Sequence, residues 1–412
     1  MFPPSFSINV VERPPISSYN RAVILNRVYW FGPISRTEIA KTTGLRFASV
    51  SELSGDLIDQ GFLKVVGYTG SIGGRKRELL GVNPEAGYII GLDVGASRIR
   101  GVLMDFVGDG ICSEALETST ESRDDILDQM ADLIRHFLSE VPKGGRIFGI
   151  GVGVAGIVDR KRGFVNLAKN LAGWRRFSLR DWCWKEFEIP LFIDNSVNSM
   201  ARAEIWFGKL RGCRDAIYIN FGLGLGAAII VDGRIYSGFS NAAGEVGGIE
   251  IYVKDVSGNL QKVLIGSTLS GAGIARKAMC AIRCGRESVI SDVGDNVTAR
   301  DVALAAEKGD GLALEIFRDV GCHLGELMVF LIDTLNPEYI VIGGGVARAS
   351  HLFLERAREI VKNKVLDELR DGLKIEVSAF IGEDNRWDLA GAYGAATLVL
   401  EDILAVPQLS PF

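Results

Sequence analysis

The feature that most constrains this chain is a repeat. Tyr88-Ile-Ile-Gly-Leu-Asp-Val-Gly-Ala-Ser-Arg-Ile-Arg-Gly-Val-Leu-Met-Asp105 has the form of a strand, a glycine turn and a returning strand. Ala216 to Arg234 repeats that form 127 positions later, setting Asn220 against Asp93. Two such hairpins imply a duplicated α/β body with a cleft between its halves, where glycine bends can offer backbone N–H groups to phosphates from both sides. One hairpin alone would read as a structural turn; the pair points to the cleft.

Other segments suit the same body. Asn336-Pro-Glu-Tyr-Ile-Val-Ile-Gly-Gly-Gly-Val-Ala347 reads as a buried strand opening through glycines into a helix. This makes Gly343 and Gly344 candidate nucleotide contacts, although close helix–sheet packing also calls for glycine. Gly391 to Leu400 reads as a small-faced terminal helix that returns to the first half. Between these, an apolar run from Leu191 passes through Asp194, Asn195, Ser196 and Asn198 into a helical pattern that continues to Glu204. Ligands in open α/β sheets bind beyond the carboxyl ends of strands. The stretch is therefore either the rim of a polar-ligand site or a plain turn with Asn198 or Ser199 as N-cap.

Composition narrows the classes. A chain of 412 residues, 47% apolar with 50 glycines, is too long for one core and should form two or three domains. No apolar run reaches the roughly 18 residues of a membrane span, and Met1 to Tyr19 lacks signal-peptide architecture. The expectation is a cytoplasmic protein with no membrane partner. Six scattered cysteines and three histidines in helical patterns suggest neither a disulfide framework nor a metal site. The net charge is −5, yet residues 1–85 hold 10 Lys+Arg against 7 Asp+Glu. The basic excess of the front end suits nucleic acid.

That front end has its own pattern. Asn20 to Phe31 carries a helical stripe of Val23, Ile24, Val28 and Phe31, stopped by Gly32-Pro33. Ser35-Arg-Thr-Glu38 has the capping-box form, so a short second helix should run to about Thr43 and turn at Gly44. Val50, Leu53, Leu57 and Ile58 give the face of a third helix. Leu63–Val66 and Leu79–Val82 read as strands joined by a glycine-rich ribbon tipped with Arg75, Lys76 and Arg77. This is a winged helix-turn-helix over residues 1–85, whose second helix of the pair presents its N-terminal residues to the major groove. Arg46, Ser49 and Ser51 are its candidate base or phosphate contacts, and the basic ribbon suits a phosphate backbone or minor groove.

With these residues in view, the chain resembles the ROK family of bacterial repressors, open reading frames and sugar kinases. Thr43-Gly-Leu-Arg-Phe-Ala-Ser-Val-Ser51, Gly73-Gly-Arg75, Asn170-Leu-Ala-Gly-Trp174, Ala243-Gly-Glu-Val-Gly247 and Asn336 to Gly344 match its signatures in order. The resemblance implies an α/β fold: an N-terminal winged helix-turn-helix on a two-lobed, actin-like ATPase (ribonuclease H-like) sugar-kinase-type body. The lobes would span residues 86–205, joined by a C-terminal helix at 388–405, and residues 206–387. It also implies operator DNA as partner, a monosaccharide or phosphosugar effector, and assembly as a homo-dimer or tetramer.

Site residues carried by the resemblance are mixed. Asn170, Asn195, Gly244 and Glu245 would face sugar, with Trp174 packing on its ring. Asp93, Gly95 and Ser97 of the first bend, with Gly222 and Gly224 of the second, would be phosphate contacts, vestigial in a non-kinase. Where a family kinase places its catalytic aspartate, this chain has Ser196. A hydroxyl is a poor base near pH 7, and a positioned base supplies roughly 100-fold to 10,000-fold in rate. Asp194 is the conceivable substitute, but it lies two residues back, roughly 6 to 7 Å along an extended strand. Leu223 replaces a phosphate-binding hydroxyl, Gly248 stands at the family's zinc-ligating histidine, and no cysteine occurs between Cys213 and Cys280. No zinc or other cofactor is expected; ATP and magnesium enter under the alternative reading of an active sugar kinase carrying a DNA-binding domain. The leading expectation is a transcriptional regulator of carbohydrate metabolism, a repressor with a kinase-like sensor body.

Overall fold

The structure is a computed structural model, and it describes residues 16–70, 76–119, 121–254, 259–381 and 389–406. The front end folds into α1 (Ile16–Phe31), β1 (Ile34–Ser35), α2 (Arg36–Thr43), α3 (Phe47–Asp59), β2 (Leu63–Tyr68) and β3 (Glu78–Val82). The Ser35 hydroxyl accepts from the Glu38 amide at 3.3 Å while the Glu38 carboxylate accepts from the Ser35 amide at 3.1 Å, closing the expected capping box. Gly44 ends α2 with φ +73°, a conformation that costs a β-carbon dearly. Ile24, Leu25, Val28, Ile39, Val50, Leu53 and Leu57 are buried. Phe31 departs from the expected stripe: it is exposed, with the Arg27 guanidinium 3.8 Å over its ring. Leu25 takes the buried place. β1 joins the wing strands as a third, in the order β1-β3-β2.

The first half of the body contains β4 (Tyr88–Val94), β5 (Arg98–Asp105), β6 (Gly110–Glu117), α4 (Arg123–Glu140), β7 (Ile147–Val154), β8 (Ile157–Asp159), β9 (Phe164–Leu167), β10 (Arg175–Ser178), α5 (Leu179–Phe187), β11 (Leu191–Asn195) and α6 (Ser196–Phe207). The second half contains β12 (Ala216–Phe221), β13 (Leu225–Val231), β14 (Arg234–Tyr236), β15 (Glu250–Lys254), β16 (Leu260–Leu264), α7 (Gly271–Arg283), α8 (Ala299–Glu307), α9 (Gly311–Leu335), β17 (Tyr339–Gly343), α10 (Leu354–Lys364), α11 (Asp367–Arg370) and β18 (Lys374–Val377). Helix α12 (Ala390–Ile403) closes the chain.

The repeat read from the hairpins extends to whole sheets. One sheet has the order β6-β5-β4-β7-β11 and the other β14-β13-β12-β17-β18. In each, the first strand of the hairpin lies antiparallel to the second and parallel to the strand on its other side. Asp93 sits opposite Gly153 and Asn220 opposite Gly343, so the correspondence holds residue by residue.

Helix α12 packs on β4, β7 and α6 as a run of buried small residues. A β-carbon on Gly91, Gly151 or Gly394 would drive into the carbonyl oxygen of Ala392, Ala395 or Ser199 respectively, so these glycines set the backbone approach. The winged module is fused to this half. Its core runs without a break into Ile89, Val102, Met104, Phe106 and the α12 side chains. Phe62 stacks on Phe148 at 5.8 Å, Arg146 lies over both rings, and Trp30 lies 4.8 Å from Trp206. The Asn26 amide donates to the Leu404 carbonyl at 3.2 Å, tying α1 to the end of α12. Among the described residues no helix is long and apolar enough to cross a membrane.

Candidate functional site

The rim between the halves is built where β11 becomes α6. Asn195, rather than Asn198 or Ser199, is the N-cap: its Oδ1 accepts from the Val197 and Asn198 amides at 2.7 and 3.4 Å. Its Nδ2 donates to the Gly156 carbonyl at 2.8 Å. Most of the Asn195 amide is thus spent on satisfying orphan helix donors and holding a neighbouring loop.

Ser196 follows as the first helical residue, and its hydroxyl donates to the Asp93 carboxylate. The two are 6% and 3% exposed. Gly391 lies against the Asp93 carboxylate, where a β-carbon would collide with it. At the place where the resemblance puts a kinase's aspartate, the structure thus has a hydroxyl that donates to the carboxylate of the first bend.

Asp194, the conceivable substitute base, is committed to other partners. It is 2% exposed, and its oxygens accept from Arg202 Nη1 at 2.7 Å, Asn198 Nδ2 at 3.0 Å and the Asn195 amide at 2.6 Å. Arg160 Nε adds an ion pair at 3.2 Å. Arg202 and Arg160 also reach Glu401 of α12, at 2.9 and 3.3 Å. Burial alone would ease the proton off Arg202, but Glu401 and then Asp194 outweigh it and hold the guanidinium charged. A carboxylate so fully occupied has no oxygen left to receive a proton from a sugar hydroxyl.

Facing the rim, the second half supplies a loop. Asn195, Val197 and Asn198 line one side of a recess; Gly226, Ala227, Asn241, Ala243, Gly244 and Glu245 line the other. The recess is small, about 20 Å³, and partly open to solvent. Gly244 has φ +88°, its carbonyl accepts from the Ala227 amide at 2.8 Å, and a β-carbon there would strike the Ala227 carbonyl. This pins the neighbouring Glu245 at the recess; its carbonyl accepts from the Gly248 amide at 3.2 Å, and its exposed carboxylate has no hydrogen-bond partner among the described residues. Asn195, Gly244 and Glu245 are thereby brought together.

Asn170 is not among the lining residues; it is exposed on the turn after β9. Trp174, expected to pack on a sugar, is 1% exposed and belongs to the core of the first half. Sequence reasoning did not assign Asn198 and Asn241 to the sugar side. Asn241 was legible only as an amide three residues before Gly244, and it takes the left-handed φ of +56° that asparagine tolerates.

The remaining candidates are spread differently. The Gly95 amide closes the first bend on the Arg98 carbonyl at 3.0 Å, and Ser97 is exposed beside it. The Gly222 amide closes the second bend on the Gly224 carbonyl at 3.0 Å, leaving Leu223 61% exposed. A β-carbon on Gly343 would collide with the Tyr218 hydroxyl, and Gly344 has φ +87°, so strand packing accounts for both glycines. The segment after β17 is a 3₁₀ stretch, Gly345–Leu352, kinked at Ala349, instead of the expected α-helix. Gly248, at the place of the family histidine, ends a short 3₁₀ turn, and β15 and β16 form an antiparallel hairpin in place of a cysteine knuckle.

On the front module, Arg46 is the N-cap residue of α3 with no side-chain cap bond, and its side chain is exposed. Ser51 is exposed and Ser49 half-buried. Lys76 and Arg77 are exposed at the base of the wing, where Thr69 and Arg77 pair through their backbones at 2.9 Å. Arg75 lies outside the described residues.

The profile of the ROK family matches residues 89–402. The chain belongs to the ROK family. Over 404 residues this ROK protein is 32% identical to the xylose repressor of Caldicellulosiruptor bescii, spanning 95% of this chain and 98% of that one. It is 31% identical over 321 residues to the glucokinase of Halalkalibacterium halodurans, spanning 76% of this chain and 94% of that one. Its fold matches the crystal structure of a ROK family transcriptional regulator, a homolog of the E. coli MLC protein, with a TM-score of 0.80 at 23% identity over 94% of this chain and 98% of that one. The ROK profile begins at Ile89, so the winged module precedes it and the body carries the kinase-like features. The architecture is a winged helix-turn-helix on an actin-like, two-lobed α/β body.

Proposed function

We propose that this ROK protein is a sugar-responsive, DNA-binding transcriptional repressor of carbohydrate metabolism whose body senses a sugar and does not phosphorylate it. The observation that carries the reading is the fusion of the winged module to the half that supplies the Asn195–Asn198 rim, through one unbroken core. A ligand that draws Glu245 and Asn241 toward that rim moves the second half relative to a DNA-binding module that cannot lag behind its own half. Operator DNA favours one arrangement and the sugar the other, so each weakens the other's binding by the same factor.

Operator contacts come from Arg46, Ser49 and Ser51 on α3 and from the basic wing. A two-fold dimer would place half-sites roughly 34 to 36 Å apart or at multiples of that spacing. The name of the Caldicellulosiruptor relative makes xylose the first sugar to test. The test is selection of binding sites from genomic fragments with the full-length protein, followed by anisotropy titration against a panel of monosaccharides and their phosphates. Sequence-specific binding released by one sugar is expected; absence of any selected site overturns the reading.

The glucokinase match and the retained Asp93 favour a second reading, a sugar kinase using ATP and magnesium. A coupled ATP-consumption assay separates the two. Sugar-dependent turnover abolished by Asp93→Ala would reverse the ranking, whereas background rates are expected.

A further inference from the structure

Phe47 has no structural employment. It is the first residue of α3 and 55% exposed, and Ala48 beside it is exposed too. The buried face of α3 is Val50, Leu53, Ser54 and Leu57. Phe47 belongs neither to that face nor to the apolar residues packed against the front-end core, which include Leu45 and Ile58 on either side of it in sequence. Among the described residues its ring contacts no other aromatic ring and no cation. The energetic preference of a phenyl group is burial, and this one is left in water at the leading end of the helix that enters the major groove.

Its surroundings select the occupant. Arg46 precedes it with an uncommitted, exposed guanidinium, Ser51 is exposed one turn on, and Lys76 and Arg77 project from the wing. Arg46 and Ser51 thus set cationic and hydroxylic chemistry for phosphates and base edges beside one apolar point, on the same module as the basic wing. A protein partner's core would more naturally meet an uncharged patch. The apolar group that DNA displays in the major groove is the 5-methyl of thymine, and phenyl and alanine methyl groups are the side chains that contact it.

We propose that Phe47, supported by Ala48, reads a thymine methyl group in each operator half-site, making it a specificity-determining residue of this chain. This rests on the operator-binding reading above and adds to it the identity of one recognised base. The side chain donates and accepts nothing, so it discriminates thymine from uracil, which differ only by that methyl.

The experiment uses the full-length protein and the operator it selects, with each thymine replaced in turn by deoxyuridine and binding followed by anisotropy. One position per half-site should weaken roughly fourfold on losing its methyl, the worth of a buried methylene converted to affinity. Phe47→Ala should bind the thymine and uracil operators equally, Phe47→Leu should keep part of the difference, and Arg46→Ala should weaken all sequences while preserving it. Unchanged thermal unfolding of Phe47→Ala, expected for an exposed side chain, confirms that the readout is recognition. Uracil tolerated at every position, an operator half-site without thymine under α3, or Phe47→Ala losing the same factor on both operators would overturn the assignment. A wild-type protein that selects no sequence would instead overturn the operator-binding reading itself.

Discussion

The two halves of the body share a strand order and differ in what covers it. Opposite each other on β4 and β7 stand Gly91 and Gly151; at the matching places on β12 and β17 stand Tyr218 and Val341. The first pair lies beneath the backbone of α12, which approaches so closely that no side chain fits. The second pair packs side chain to side chain with Ala201 of α6 in a small core of its own. Helix α6 therefore serves both halves. Asp194 and Arg202 bind it to α12 and the first half, while Glu204 binds it to the second, accepting from the Ser378 hydroxyl and from the Ala379 amide at 2.9 Å. A duplicated topology fixes where the cleft lies; the unequal coverings decide that α12 lies on the first half alone, while α6 reaches both.

The largest effect expected from breaking this asymmetry is at the first joint. Arg202→Met leaves Asp194 and Glu401 without a buried cation and should cost about 3–5 kcal/mol of stability, read from denaturant midpoints. A loss below about 1 kcal/mol would mean that Arg160 carries the network alone.

Next is the contrast between glycines. Gly151→Ala forces a methyl into the Ala395 carbonyl and should destabilise by about 1–3 kcal/mol. Gly224→Ala in the second bend meets nothing within 4 Å and should stay within about 0.5 kcal/mol. Equal costs would show that α12 yields to a methyl at Gly151 and that its backbone does not set the approach.

At the recess, Glu245→Gln removes a charged acceptor from the second half. It should weaken the effector sugar roughly tenfold by calorimetry, the worth of one charge-assisted hydrogen bond, with operator affinity unchanged in the absence of sugar. Loss of both would assign Glu245 to the fold.

The smallest effect is a slope. Burial raises the Glu204 carboxyl above the ordinary 4.5, against hydrogen bonds from Ser378 and the Lys209 and Ala379 amides. The folded chain then holds a proton that the unfolded chain has released, so this contribution is complete below pH 4.5 and declines as pH rises through the raised value. Wild type should therefore lose stability relative to Glu204→Gln as pH climbs from 4.5, seen in paired urea titrations. A difference independent of pH would place Glu204 as a charged strut throughout.

Much of this molecule was legible in its sequence, and the reason is local physics. A capping box, a left-handed glycine and a three-residue apolar rhythm specify the front helices within a few neighbours, as Ser35, Glu38 and Gly44 do here. The paired hairpins declared the duplication through a shared form, an apolar strand, a glycine bend and a returning strand, met twice 127 positions apart. Ser196 stood out through its place in the family signature, and the structure adds that its hydroxyl donates to the Asp93 carboxylate.

What the sequence could not decide was who covers whom. Trp174 looked like a ring offered to sugar and is a core residue; Phe31 looked like core and is exposed. Asp194 was at most a conceivable base from the sequence, and it is a strut because Arg160, Arg202 and Glu401, distant from one another along the chain, converge on the same few ångströms. Burial and ion pairing are properties of surfaces that meet in three dimensions, and no spacing along the chain encodes that α12 returns to lie on Gly91 and Gly151. By itself the sequence determined the front-end helices, the duplication and the serine at position 196. Only the tertiary structure decided that the winged module and the rim of the recess are one body, because a shared core is created by packing and leaves no periodicity to read.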